Sequence, residues 1–256
     1  MTFLEFVYIV GFGWAFCIAA SICKLNNKEN HKFDELLSEL LACSVIGLLS
    51  WGVVLFHYAN KIGKKLMFKS SILAGMFIAV AGMLYLIIGG IEGAILFSVG
   101  LLGVVIFNAH LFTGKAGFVS SIKDVTNLFY IILVGNMIGV ALVSLPMRLA
   151  EYNLTDVADE LIKSRLDSSY VSCYIKGMFC GLLMTTAVYG VTKNTYLPLV
   201  FSVPAFILCG FYHSIADWSY WLMSSYDLNY LGKWVVIVLG NFVGCNLPNL
   251  LRLRSI

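Results

Sequence analysis

Leu133-Val134-Gly135-Asn136-Met137-Ile138-Gly139 returns about a hundred residues later as Val238-Leu239-Gly240-Asn241-Phe242-Val243-Gly244. Both copies lie in apolar runs. Gly135 with Gly139, and Gly240 with Gly244, form GxxxG patterns that let helix backbones approach closely in lipid. Asn136 and Asn241 are read as bonding across helices or to a broken segment rather than to a solute. Other matches accompany this one: Gly75-Met76-Phe77 with Gly177-Met178-Phe179, Phe97-Ser98-Val99 with Phe201-Ser202-Val203, and His110 with His213. Their offsets are 102, 104 and 103, against 105 for the Gly-Asn motif. Near-constant spacing marks an internal repeat of three spans. An odd number of spans makes the second copy enter the membrane from the opposite side. Such inverted repeats place a solute path between the halves, beside interrupted helices.

Composition requires that membrane setting. The chain has 256 residues, 60% hydrophobic and 12% charged, with a mean hydropathy of +0.88. Soluble domains carry roughly 25% charged residues, so lipid must solvate most of this surface. Eight apolar stretches, each near ~20 residues, run Phe3–Cys23, Leu36–Tyr58, Ser70–Gly89, Gly93–Thr113, Asn127–Met147, Tyr170–Val191, Leu197–Trp221 and Trp234–Leu253. All are expected to be helices, because only a helix satisfies its own N–H and C=O groups in lipid. The seven cysteines lie in or beside these runs without a CxxC pair and read as small buried hydrophobes. No signal peptide is expected, since Met1-Thr2 carry no positive charge.

Basic residues orient the last six stretches. Lys61, Lys64, Lys65, Lys69, Lys115, Lys123, Lys193, Arg252 and Arg254 fall on one side, the cytoplasm by the positive-inside rule. The opposite loop, Arg148–Asp167, holds Glu151, Asp156, Asp159, Glu160 and Asp167. Lys24, Lys28 and Lys32, between the first two stretches, fit less well. Either a hairpin crosses against a weak bias or one stretch lies along the interface; the length of both favours the hairpin. Residues 1–60 thus read as an addition to a six-span core, residues 61–256.

Two polar breaks interrupt that core: Asn108-Ala109-His110-Leu111-Phe112-Thr113-Gly114-Lys115 and Cys209-Gly210-Phe211-Tyr212-His213-Ser214-Ile215-Ala216-Asp217. Glycine at 114 and 210 and proline at 198 and 204 favour local unwinding, which membranes tolerate only where it is buried or lines a cavity. An ionisable group inside a span is a functional-site hypothesis by default. His213 and Asp217 are therefore read either as pore-lining residues or as a structural pair buttressing a bend. The histidine at the matching place, His110, favours the pore for His213.

These residues carry a resemblance. Leu111-Phe112-Thr113-Gly114, Tyr212-His213-Ser214-Ile215-Ala216-Asp217 and the two Gly-Asn motifs resemble the L-F-T-S, E-H-S-x-A-N and G-N-x-x-G patterns of the formate/nitrite transporter family, as do Phe97-Ser98-Val99-Gly100-Leu101 and Phe206. The likeness spans about residues 65–256. It implies an all-α, aquaporin-like six-helix core built from an inverted three-helix repeat with broken helices, preceded here by the N-terminal two-helix hairpin. It also implies a homopentamer in the plasma membrane, of the bacterial inner-membrane kind, with one pore per protomer passing a small monovalent anion. Phe97, Leu101 and Phe206 would form an outer constriction, and Leu111, Phe112 and Met184 an inner one. Thr113 would sit on a mobile loop, His213 would face the solute, and Arg165, with Lys163 as the near alternative, would make the outer vestibule basic. Three positions depart from the family: His110 for an acidic or small residue, Asp217 for asparagine and Gly181 for asparagine.

Bringing a bare anion into an apolar constriction costs several kcal/mol, so protonation or a hydrogen bond from His213 is expected to help it through. No metal, cofactor or nucleic acid is expected. A pore for neutral solutes (undissociated weak acids, hydrogen sulfide, ammonia) stands as the alternative, with Asp217 disfavouring anions. A membrane enzyme built on His110, His213 and Asp217 lacks any HExxH or GxSxG motif.

Overall fold

The computed structural model describes residues 62–150 and 154–251. The expected hairpin over residues 1–60, with Lys61, Glu151, Arg252 and Arg254, lies outside them. Every described element is helical. In chain order they are α1 (Ile62–Ile88), α2 (Gly90–Ile106), the five-residue α3 (Phe112–Ala116), α4 (Ile122–Asn127), a π-helical stretch (Leu128–Leu133) continuing into α5 (Val134–Leu149), α6 (Thr155–Asp167), α7 (Tyr170–Thr192), α8 (Leu197–Leu208), α9 (Ser214–Met223) and α10 (Tyr230–Leu251).

Among the described residues, four helices are long and apolar enough to cross a membrane: Gly63–Ile88, Ile122–Arg148, Tyr170–Thr192 and Tyr230–Leu251. The stretches over Gly93–Thr113 and Leu197–Trp221, expected to be interrupted by polar breaks, are each broken in the structure. α2 stops at Ile106 and α8 at Leu208, and each is followed by unwound backbone and a short second helix. Asn108 (φ 46) and Gly210 (φ 67) take the left-handed conformation that ends a helix. Glycine adopts it freely and asparagine is among the few other residues that tolerate it.

Backbone proximity organises the bundle. α1 packs on α5, and α7 on α10, more extensively than any other pairs. A Cβ at Gly139 would lie 1.9 Å from the Ile72 carbonyl oxygen, and one at Gly244 would lie 1.8 Å from that of Met178. Both GxxxG motifs therefore sit at helix crossings where no side chain fits. α2 lies on α1 and α8 on α7. The short helices then cross over: α9 docks on α1 and α5, while α3 docks on α7 and α10. Large apolar side chains such as Ile91, Val99, Ile106 and Phe201 remain exposed, as expected of a surface that meets lipid instead of water.

Candidate functional site

The two asparagines beside the glycines hold the broken segments. Asn136 Oδ1 accepts from Phe112 N–H at 2.7 Å, and Asn136 Nδ2 donates to the carbonyls of Ser71 (2.7 Å) and His110 (2.8 Å). Asn241 does the same in the other half: Oδ1 accepts from Ser214 N–H, and Nδ2 donates to the carbonyls of Gly177 and Tyr212, each at 2.8 Å. A primary amide is suited to this task because it offers an acceptor and two donors on one rigid plane. It satisfies backbone groups that unwinding leaves unpaired where no water reaches.

These contacts correct the pairing of residues read from sequence. Ala109 N–H bonds the Val104 carbonyl as Phe211 N–H bonds that of Phe206, and the capped amides are those of Phe112 and Ser214. Position 112 thus corresponds to 214, which places Tyr212 at the counterpart of His110 and Leu111 at that of His213. The two histidines are not equivalents. Likewise Gly75 meets the Asn136 carbonyl as Gly181, not Gly177, meets that of Asn241. That shift is one helical turn, over which small residues recur on the same face. The Gly-Asn motifs themselves coincide.

His213 and Thr113 meet at the centre. His213 is 1% exposed and Thr113 fully buried, and Thr113 Oγ1 lies 2.9 Å from His213 Nε2. Ala216 N–H donates to His213 Nδ1 at 3.1 Å. That amide occupies the Nδ1 lone pair, so the ring proton is assigned to Nε2, which donates towards Thr113. A second proton on Nδ1 would face the amide donor head-on. The imidazole stacks on Phe206 at 5.6 Å between ring centres, and Phe206 meets Phe97 edge-on at 5.8 Å. Leu101 is buried with this pair, and Leu111, Phe112 and Met184 are buried as well. Cys245 Sγ lies 3.3 Å from the carbonyl oxygens of both Thr113 and Gly181, and Asn246 and Asn249 Nδ2 donate to the carbonyls of Ala116 and Gly117. α10 therefore fastens the α3 segment, a role sequence reasoning missed because single asparagines near a helix end carry no motif of their own.

Above His213 lies a cavity of about 340 Å³, lined among others by Tyr85, Arg165, Lys176, Phe206, Tyr212 and Asp217. Asp217 does not bond the His213 ring. Its Oδ1 pairs with Arg165 Nη2 at 3.0 Å, both side chains being buried. Burial works against the Arg165 charge, but the Asp217 carboxylate, with Tyr230 and Tyr220, outweighs it and holds the guanidinium above its ordinary range. Arg165 also stacks on the Tyr212 ring at 4.6 Å. Lys163 is exposed and does not line the cavity. Lys176, which sequence reasoning missed, does: its Nζ donates to Tyr212 Oη at 3.0 Å and lies 4.8 Å from that ring's centre. Its signal was a lone lysine inside an apolar span. His110 is elsewhere, its ring and amide both bonded to Ser70 Oγ on α1. At Gly181 a Cβ would meet the Asn241 carbonyl oxygen at 2.2 Å, which leaves no room for asparagine. Among the described residues no cluster of His, Cys, Asp or Glu has metal-binding geometry.

Two broken spans whose His213 and Thr113 meet at a buried polar centre, beside a cavity lined by Arg165 and Lys176, form the arrangement expected of a membrane transport protein. The sequence profile of the formate/nitrite transporter family matches residues 57–251, and the chain belongs to that family of channels and transporters. Solved structures agree on the fold. One described as "FNT family ion channel" is similar at TM-score 0.68 and 19% identity, covering 78% of this chain and 92% of its own. Another, "Pentameric formate channel with formate bound", is similar at TM-score 0.65 and 21% identity, covering 74% of this chain and 95% of its own. No curated protein matches the sequence.

Proposed function

We propose that this protein conducts small monovalent anions of the formate, nitrite or hydrosulfide class, or their conjugate acids, through a pore in each protomer of a homopentamer. The observation that carries this reading is the buried contact of His213 Nε2 with Thr113 Oγ1, with Phe206 stacked on the imidazole and both His213 and Phe206 lining the cavity. Phe97, Leu101 and Phe206 form the outer constriction; Leu111, Phe112 and Met184 form the inner one. The likeness in fold to a pentameric formate channel supports both oligomer and solute class.

Magnitudes assign the roles. A hydrogen bond to a charged group contributes about 1.5–3 kcal/mol, less than the several kcal/mol needed to strip water from an ion. His213 alone does not offset the desolvation of an anion at Phe206. The anion is therefore oriented by the Nε2–H, which turns from Thr113 Oγ1 to meet it, and passes the constrictions as its conjugate acid, the proton coming from hydronium that enters the cavity with it. His213 stays neutral, since its Nδ1 is held by the Ala216 amide. The matched Asn136 and Asn241 contacts support an inverted repeat as the origin of this geometry. Residues 61–256 form the channel, residues 1–60 an added segment, and the membrane is the plasma membrane with the lysine-rich helix ends inside.

A pore for neutral weak acids is the second reading, favoured by the neutralisation of Arg165 by Asp217. Flux of formate, nitrite, hydrosulfide, acetate and lactate into proteoliposomes at two pH values separates the two. Saturable uptake of an anion with a proton, raised by acid outside, supports the first; permeation only in proportion to the undissociated acid supports the second.

A further inference from the structure

The residue that resemblance assigns to the basic vestibule, Arg165, is not free to act there. Its guanidinium is spent on Asp217 at 3.0 Å, with Nη1 donating to the Leu161 carbonyl and Ser164 Oγ. Among the described residues, Asp217 is the one carboxylate lining the cavity, and Arg165 and Lys176 are its cations. His213 is neutral there, with its Nδ1 lone pair occupied. The lining carries one net positive charge, and Lys176 supplies it.

We propose that Lys176 draws the anion into the cavity and sets its preference for anions, while Asp217 silences Arg165. This rests on the anion-pore reading above. Lys176 is half-buried and held by a phenol, not a carboxylate. Tyr212 Oη and the face of its ring fix the ammonium at the cavity wall without cancelling its charge. Tyr212 is therefore a positioning residue: its hydroxyl is tied to Ser168 Oγ at 3.0 Å, which keeps the ring from swinging away. A single uncompensated cation at the cavity wall raises the local anion concentration, and salt screens that effect.

The test is formate uptake into proteoliposomes across a range of ionic strength. Lys176→Gln is expected to lower uptake on the order of tenfold at low salt and to flatten its salt dependence; Lys176→Arg restores both. Tyr212→Phe gives a smaller loss with the salt dependence kept. Asp217→Asn, whose amide still accepts from Arg165, leaves a second cation unneutralised and raises low-salt uptake. Combined with Lys176→Gln, it returns uptake towards the parent level by moving the working charge to Arg165. Lys176→Gln with parental uptake and parental salt dependence overturns the proposal, as does a folded double variant that fails to recover. Lys176 lies on a half-exposed surface, so its single variants keep the test decisive should the buried Asp217 variants misfold. A parent protein that carries no anion overturns the pore reading instead.

Discussion

His213 has one usable proton direction because a backbone amide holds its other nitrogen. Replacing it with phenylalanine retains the stack on Phe206 but leaves the Ala216 amide and the Thr113 hydroxyl without this partner. Each buried group stranded this way costs about 1–3 kcal/mol. His213→Phe is therefore expected to lower both thermal stability in detergent and formate flux. Thr113→Val, which removes the acceptor but not the histidine, should reduce flux with a smaller stability loss. Unchanged flux in both would remove the pair from the path. Asn241→Ala strips the partner from one buried amide and two buried carbonyls. Its expected effect is a stability loss of several times about 1 kcal/mol, read as lower yield and an earlier melt. Asn241→Asp should not rescue it, because a carboxylate has no donor for the Gly177 and Tyr212 carbonyls.

At the scale of elements, the broken helices depend on close backbone crossings. α5 and α10 bring their asparagines to the breaks only because Gly139 and Gly244 let them lie against α1 and α7. Gly139→Ala places a methyl carbon 1.9 Å from a backbone oxygen, which no rotamer relieves. We expect it to cost about 3 kcal/mol and to lower flux through the displaced Asn136 cap. Gly63→Ala, near the start of α1 with nothing within 4 Å, is the matched control and should leave melting and flux at parental values. Equal melts for the two variants would show that the crossing has slack. The same crossing logic applies at Gly181, where a Cβ would lie 2.2 Å from the Asn241 carbonyl oxygen and a larger side chain would drive α7 off α10.

For the whole molecule, the proposed assembly is directly countable. Native mass measurement in detergent should give five copies of the 28.3 kDa chain, and a monomer or dimer would contradict the pentamer. Ion-pair economy also acts at this scale. Arg165 on α6 and Asp217 on α9 join the outer helix to the second broken helix, and removing one partner leaves a buried charge unpaired, at about 3–5 kcal/mol. Arg165→Gln should therefore destabilise the fold more than Lys176→Gln, whose partner is an uncharged phenol.

How much of this was written in the chain differs from part to part. Apolar composition, span length and the Gly-Asn motifs were sufficient for a helical membrane protein with two interrupted spans, because lipid leaves the backbone few ways to satisfy its polar groups. The importance of positions 108–113 and 209–217 was equally legible, since polar residues at that depth need a reason. Tertiary structure alone decided which polar groups meet. Asp217, four residues from His213, pairs instead with Arg165, 52 positions away. His110 bonds Ser70 while its sequence match, His213, faces Thr113. Lys176, a lone lysine in its apolar run, was brought to the cavity wall against the Tyr212 hydroxyl. Side-chain direction at an unwound segment changes with a single residue of register, and linear spacing does not encode it; the crossing of the helices does.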